Sequence, residues 1–439
     1  MSASAKRRVV VTGMGVISPL GNTLDGYWQA LTAGASGVRR FASVPTDNLP
    51  TTVAAEAWDF SGEIGDFGDL DGDRKKAIRK ALKLMCRESQ MAVASAQRAV
   101  SDAQLAPGSY DPERSGCVFG SDYMMTMPQE FADSITKCIV DGQFDYSRWG
   151  TDGLSQMTPL WMLKYLPNMP GSHIAIFNDF RGPSNSLTHR EASSNLAIGE
   201  AIHTIQRGSA DRMIAGSTGT RVHPMKAVHA AQTEQLAPGD GDPAQASRPF
   251  DKNRTGMVLG EGAGAIVLEE LETALARGAT IYAEVAGAGS SAVSDKNSGA
   301  QRDVALANAM RAALRDAGAT PDEVGHINAH GLGSLSSDIA EAQALTYVFG
   351  ERAKKIPLVA PKSFFGNLGA GSGVVELAAS VLALRHGHLF PVLNYETPDP
   401  ECPVAAVKNT DIGAGRSALS LSVTPQGQAS VVMLKAYNG

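Results

Sequence analysis

The sequence predicts an α/β protein built around a largely buried sheet, and three observations converge on that class. Short apolar runs of strand length recur along the chain: Val9-Val10-Val11, Cys117-Val118-Phe119, Met213-Ile214-Ala215 and Ala263 to Leu268. Alanine-rich stretches of helical length lie between them. Glycine and proline punctuate the junctions, as at Gly13 and Gly182-Pro183.

In order, Val9-Val10-Val11 enters a Gly-containing turn, Thr12 to Gly15, and a helix is predicted from about Thr23 to Ala33. The span 73–102 is expected to be one long helix with Arg79, Lys80 and Lys83 on its exposed side. Cys117 to Gly120 reads as a strand end, and the Met-rich stretch to Trp161 gives no regular pattern. Ile174 to Phe177 reads as a short strand broken by Gly182-Pro183-Ser184. A helix is expected from near Glu191 to Arg207, then strands at 213–216 and 263–268, a helix over 269–277 and a strand over 282–286. A chain of 439 residues exceeds the usual limit of a single core, so two packed halves are expected, 1–273 and 274–439.

A formal net charge of -6 argues against general nucleic-acid binding, which needs a basic excess. Cys86, Cys117, Cys138 and Cys402 lack CxxC spacing, which favours reduced thiols over a disulfide framework or a metal site. The first eight residues lead into no apolar signal core, and no eighteen-residue apolar run follows, so a cytoplasmic protein with no membrane span is expected. Two generic motifs mislead. Gly260-Glu261-Gly262-Ala263-Gly264 precedes its predicted strand, where a dinucleotide fingerprint must follow one. In Gly369-Ala370-Gly371-Ser372-Gly373 the serine is one place late for a nucleophile elbow.

Longer segments, taken in order, are more specific: Val10 to Gly21, Leu166-Pro167-Asn168-Met169, Arg181-Gly182-Pro183-Ser184, and Ser247-Arg248-Pro249-Phe250-Asp251 through to Gly264. Over nearly its whole length the chain resembles the β-ketoacyl-acyl-carrier-protein synthases. That resemblance implies a thiolase-type fold, two similar βαβ-rich halves in alternating helix and sheet layers, assembled as a dimer. It also implies substrates carried on the phosphopantetheine of an acyl carrier protein (ACP), with no cofactor of the chain's own. The family loads its acyl chain on a cysteine at a helix N-terminus, where the dipole favours the thiolate.

Counting from Gly182-Pro183-Ser184, that cysteine's place falls on Glu191. Acylating a carboxylate gives a hydrolysable mixed anhydride, so covalent condensation is not expected. The first family histidine matches His330, with Asp338 and Glu341 on the downstream acidic pattern. In Lys362-Ser363-Phe364-Phe365-Gly366-Asn367 the lysine is kept and the second histidine becomes Asn367, similar to the His–Asn pair of the ketoacyl synthase III branch. The threonines that hold phosphopantetheine align with Leu332 and Ser334. The aromatic gating loop aligns with Ser422 to Gln428, including Ser422, Thr424 and Pro425, which lacks a backbone donor. Arg79, Lys80 and Lys83 coincide with a family region that contacts acidic ACP.

A buried Glu191 carboxylate needs compensation, for which Lys362, Arg190 or a protonated His330 are the candidates, and pairing with it would raise the histidine's proton affinity. The resemblance therefore implies a subunit similar to the chain-length factors, which carry glutamine at the cysteine position and pair with an active ketosynthase. The alternative is an enzyme on ACP-bound substrates: a malonyl-ACP decarboxylase, or a Glu191/His330 acid–base catalyst such as a dehydratase or cyclase. A homodimer or a heterodimer with an active ketosynthase remains open.

Overall fold

A strand made only of apolar and small residues is stable where both of its faces are covered. Val9–Ile17 (β1) meets that condition in the computed structural model, which describes residues 6–297 and 299–439. The other strands along the main path are Ser115–Ser121 (β2), Ser184–Thr188 (β3), Arg212–Thr220 (β4), Leu259–Glu270 (β5), Ala283–Ala292 (β6), His326–Asn328 (β7), Pro357–Val359 (β8), Ala405–Ala406 (β9), Ser417–Val423 (β10) and Gln428–Lys435 (β11). They follow one path in a 13-stranded sheet, in the order β9-β8-β7-β10-β11-β6-β1-β5-β4-β2-β3, with two short strands at 39–40 and 53–55 attached to β5. At its centre β1 pairs antiparallel with β5 and β6, and on either side lie parallel pairs, β2 with β4 and β7 with β10.

The helices that matter here are Leu24–Ala33 (α1), Gly72–Ala81 (α2), Arg87–Asp102 (α3), Met169–Asn178 (α4), Ser193–Gln206 (α5), Pro224–Thr233 (α6), Arg302–Asp316 (α7), Leu335–Phe349 (α8) and Ser372–His386 (α9). Local sequence sets their ends. For α1, the Thr23 hydroxyl accepts the Gly26 N–H and Gly34 closes the last turn in the left-handed region, φ +70°.

Helix α3 covers β1, β4 and β5 from outside, and α7 covers β6, β10 and β11. Helices α5 and α9 touch strands of both halves, so helix and sheet layers alternate as expected. Every residue from Ser372 to Leu384 in α9 is buried, and a fully buried Val or Leu contributes about 1.5–3 kcal/mol. The central helix layer is thus the apolar heart of the molecule.

Three expectations need correction. The 73–102 span is two helices: after α2 comes a 3-10 turn, Leu82–Leu84, and then Met85 turns extended at φ −119°, ψ 126°. This places Met85 and Cys86 in the interior while Arg79, Lys80 and Lys83 stay exposed. Ile174 to Phe177 is helical, inside α4, because the chain already turns at Asn168 and Pro170 sits in the first turn where its missing N–H costs nothing. The strand of this region is instead β3, whose polar sequence Ser-Asn-Ser-Leu-Thr suits an edge. Finally, Gly260 to Gly264 lies within β5, and the missing Cβ atoms of Gly260 and Gly262 let Ile17 and Leu368 pack against the strand.

Candidate functional site

The site grows from the junction of β2 with α5. A Cβ on Gly120 would meet the Ser193 backbone carbonyl carbon at 2.9 Å, so glycine alone permits this approach of strand to helix. The Ser193 hydroxyl donates to the Ser121 carbonyl (2.9 Å) and accepts the His189 N–H (2.7 Å). These bonds fold Arg190–Ala192 into a tight turn just before α5. Arg190 takes a left-handed backbone, φ +50°, a conformation that costs a side-chain-bearing residue about 1–2 kcal/mol. Its two ion pairs offset that strain.

Glu191 leaves this turn with 1% of its surface exposed. Its Oε1 accepts from Arg221 Nη2 and from Asn367 Nδ2 (3.1 Å), and Arg190 Nε stands 3.5 Å from Oε2. Glu234 Oε1 accepts from Arg190 Nη2 (2.7 Å) and Arg221 Nη1 (3.2 Å), so two guanidiniums and two carboxylates form one cluster of zero net charge. Burial alone would push the Glu191 carboxyl up, but Arg221 and then Arg190 overcome it and hold the group well below the usual carboxylate range. Glu191 is an ionised carboxylate hydrogen-bonded through Oε1, while Oε2 has, among the described residues, only the ion-pair approach of Arg190.

The remaining site residues are brought alongside. Asn367 follows the short helix Lys362–Phe365, and its backbone donates to the Val258 carbonyl (2.8 Å), which fixes its side chain beside Glu191. Lys362 Nζ lies 2.6 Å from Glu376 Oε1 and 3.4 Å from His330 Nδ1. The His330 and Gly331 N–H groups donate to the two oxygens of Glu341 (2.7 and 2.8 Å). Asp338 accepts from the Phe250 and Gly333 N–H groups (2.8 and 3.0 Å).

Two expectations are corrected here. Lys362 is not the partner of Glu191; it is engaged by Glu376, and Arg221 at the end of β4 supplies the charge instead. The proton affinity of His330 falls rather than rises: burial first, then the Lys362 ammonium, lower it well below the usual histidine value despite the pull of Glu191. His330 is therefore a neutral imidazole.

Leu332 packs in an apolar cluster with Met257, whose Sδ lies 3.5 Å from Asn367 Nδ2, and Ser334 stands at the N-cap position of α8 without a side-chain cap bond. Ser422 and Thr424 are buried in the β10–β11 hairpin. Thr424 closes its turn by receiving the Gln428 N–H on Oγ1 (3.2 Å), and the Asn195 amide donates to Ser422 Oγ (3.4 Å). The hairpin braces the site, because Ser430 Oγ donates to the Ala192 carbonyl (3.0 Å) directly after Glu191. Arg79, Lys80 and Lys83 stand exposed at the end of α2. Sequence reasoning missed Arg221, Glu234 and Glu376. Only the general demand of a buried carboxylate for a cation pointed toward them. Among the described residues no group of three or more His, Cys, Asp or Glu side chains is placed to hold a metal, and no helix is long and apolar enough to cross a membrane.

Burial raises the Glu341 carboxyl from 4.5 to about 7 and the Asp338 carboxyl to about 6. A carboxyl raised on folding stabilises fully below its unfolded value and loses that contribution as pH rises through the folded one. The stability of Glu341→Gln relative to the native chain should accordingly increase between pH 4.5 and 7. Urea unfolding at several pH values reads this, and a pH-independent difference would remove Glu341 from the account.

Comparison with known proteins identifies this architecture. Residues 6–274 match the N-terminal domain model of β-ketoacyl synthases, and residues 282–396 match the C-terminal one. The chain belongs to the β-ketoacyl synthase family. A 3-oxoacyl-[acyl-carrier-protein] synthase 2 of Synechocystis sp. is 35% identical over 410 residues, covering 92% of this chain and 91% of that protein. Among solved structures, the ishigamide ketosynthase/chain length factor is similar with a TM-score of 0.82 and 30% identity over 99% of this chain and 100% of that one. A ketosynthase structure with a bound hexaketide, in complex with a type II PKS acyl-carrier protein, is similar at TM-score 0.81 and 26% identity, again over 99% and 100%. This β-ketoacyl synthase relative therefore has the thiolase-type fold and is a ketosynthase-family protein of fatty-acid or polyketide synthesis.

Proposed function

We propose that the protein is a non-condensing subunit of the chain-length-factor type, with Glu191 in the place of the family's acyl-accepting cysteine. One observation carries the proposal: Glu191 is an ionised carboxylate locked between Arg221, Arg190 and Asn367 at the start of α5. A nucleophile must leave its partners to attack, and here departure would strand a guanidinium that is 2% exposed. The product would also be an anhydride open to hydrolysis.

Acid–base catalysis by Glu191 and His330 on an ACP-bound substrate finds less support. A carboxyl held far below its ordinary range has no proton to give near neutrality and accepts one poorly. Malonyl decarboxylation needs a substrate carboxylate near this site, and the ionised Glu191 opposes one.

In this proposal the condensing cysteine belongs to a second ketosynthase-fold chain. The likeness to a ketosynthase/chain length factor supports a heterodimer, as does the edge strand β3, which among the described residues pairs only with β2. Exposed apolar side chains nearby in sequence, Leu154, Leu160, Met162 and Ile176, suit a covered surface. ACP, bringing its substrate on phosphopantetheine, would dock on Arg79, Lys80 and Lys83 by charge steering. Leu332 and Ser334 remain the candidate residues beside its pantetheine arm, with Ser422 and Thr424 as a supporting wall.

Mass spectrometry of the isolated protein with malonyl-ACP is expected to detect neither acetyl-ACP nor an acylated chain. Co-expression with a cysteine-bearing homologue should give a one-to-one complex. Acetyl-ACP release that depends on Glu191 or His330, or a strict homodimer, would overturn the proposal in favour of the enzyme.

A further inference from the structure

A cavity of about 520 Å³ lies between the 42–60 segment, the start of α3, the 125–130 turn and the 220–224 segment. That volume is in the range of small-molecule sites. Trp58, Phe60, Met85, Met125, Met127 and Val222 give it an apolar wall. Glu191, His330, Lys362 and Asn367 are not in its lining.

Three carboxylates line it, Glu56, Glu88 and Glu130, and two of them are neutralised within the chain. Glu88 holds the Lys226 ammonium at 2.8 Å. Glu130 holds Lys164 Nζ at 3.1 Å and accepts from the Tyr165 hydroxyl. The guanidinium of the lining, Arg87, is likewise engaged, with its Nε 2.9 Å from both oxygens of Glu261.

Glu56, 7% exposed, is different. Its Oε1 receives the N–H groups of Ala42 and Ser43 (2.7 and 3.1 Å), a contact that pins the 42–43 backbone and uses one oxygen only. Oε2 has no hydrogen-bond partner among the described residues, and unlike the sealed Oε2 of Glu191 it keeps surface open to the cavity. No cation among the described residues stands within ion-pair distance of Glu56. Arg87 senses its charge from farther off and is committed to Glu261. A carboxylate buried beside an apolar wall with one oxygen free is costly until a cation meets it. An anionic or neutral occupant would leave that cost in place.

We propose that this cavity binds a primary alkylamine in its ammonium form, with the ammonium donating to Glu56 Oε2 and the alkyl chain along the methionine and aromatic wall. The site stands independently of the role assigned to Glu191. The test uses the full chain and hexylamine as probe, with binding followed by saturation-transfer NMR and calorimetry near neutral pH, where the amine is protonated. The native protein should prefer hexylamine to hexan-1-ol, the same chain without the charge, by roughly tenfold or more, the worth of one hydrogen bond to a charged group. It should ignore hexanoate. Glu56→Gln keeps an acceptor for the Ala42 and Ser43 N–H groups and removes the charge, so it should erase that preference. Hexan-1-ol binding should stay as in the native protein and so report an intact cavity. Comparison of the three probes on the native protein reads the charge preference without any variant. Absence of hexylamine binding, hexan-1-ol or hexanoate binding as tightly as hexylamine, or equal hexylamine affinity in Glu56→Gln would overturn the proposal.

Discussion

Truncating Glu191 to alanine is expected to cost about 3–5 kcal/mol of folding stability, a larger loss than any other single substitution in the site. The reason is the charge it leaves behind. Arg221 is among the largest fully buried side chains, and without Glu191 the carboxylate left to it as an ion-pair partner among the described residues is Glu234, which it already shares with Arg190. Glu191→Gln preserves the acceptor but not the charge, and should fall between the two. The pH dependence has a definite sign. A carboxyl depressed on folding contributes above its unfolded value, 4.5, and loses the contribution as pH falls toward the much lower folded value. The gap between native and Glu191→Ala stability should stay constant from pH 5 to 8 and narrow only in acid. Denaturant unfolding measures it; a loss below about 1 kcal/mol, the range of an exposed pair, would mean that Glu191 is not the keystone of the cluster.

The contrast between Glu191 and its partners explains what the sequence made legible. A buried carboxylate at a helix start is readable from one motif, Gly182-Pro183-Ser184, because residue counting within a turn survives folding. Its partner is not readable that way. Arg221 lies 30 residues on, at the end of β4, and meets Glu191 only because β2 and β4 are neighbours in the sheet. Lys362 looked closer to the task through its motif, yet α9 places Glu376 within 2.6 Å of it first. The same division holds for the fold. Central strands β1, β4 and β5 announce themselves as apolar runs because both of their faces are covered. The edge strand β3 is polar and gives no such signal, while Ile174 to Phe177 mimics a strand, since four apolar residues fit a buried helix turn equally well. The break between α2 and α3 escaped because alanine-rich flanks conceal it.

The second decisive expectation concerns Glu191→Cys, which in the proposed reading puts a thiol at the position of the family's acyl-accepting cysteine and should nevertheless fail to take up an acyl group. Thiol chemistry would not be the obstacle. A cysteine at this turn faces a helix N-terminus and two guanidiniums, conditions that favour the thiolate. The obstacle is what surrounds it. Arg221 and Arg190 fill the space beside position 191, both largely hidden from solvent. In the same reading Asn367 takes the place of the histidine that would accompany the nucleophile, and Lys362 is tied to Glu376. Incubation with acyl-ACP or with an epoxide probe of cerulenin type, read by intact-mass spectrometry, is expected to leave Glu191→Cys unmodified. Adding Arg221→Ala, which opens space and removes the unpaired guanidinium, should make the thiol reactive toward the small epoxide without restoring condensation with malonyl-ACP. That order of outcomes separates a missing nucleophile from a remodelled interior. If the single substitution were acylated and gave a ketoacyl product, the charged cluster would be incidental. The protein would then be a condensing enzyme one residue away from activity.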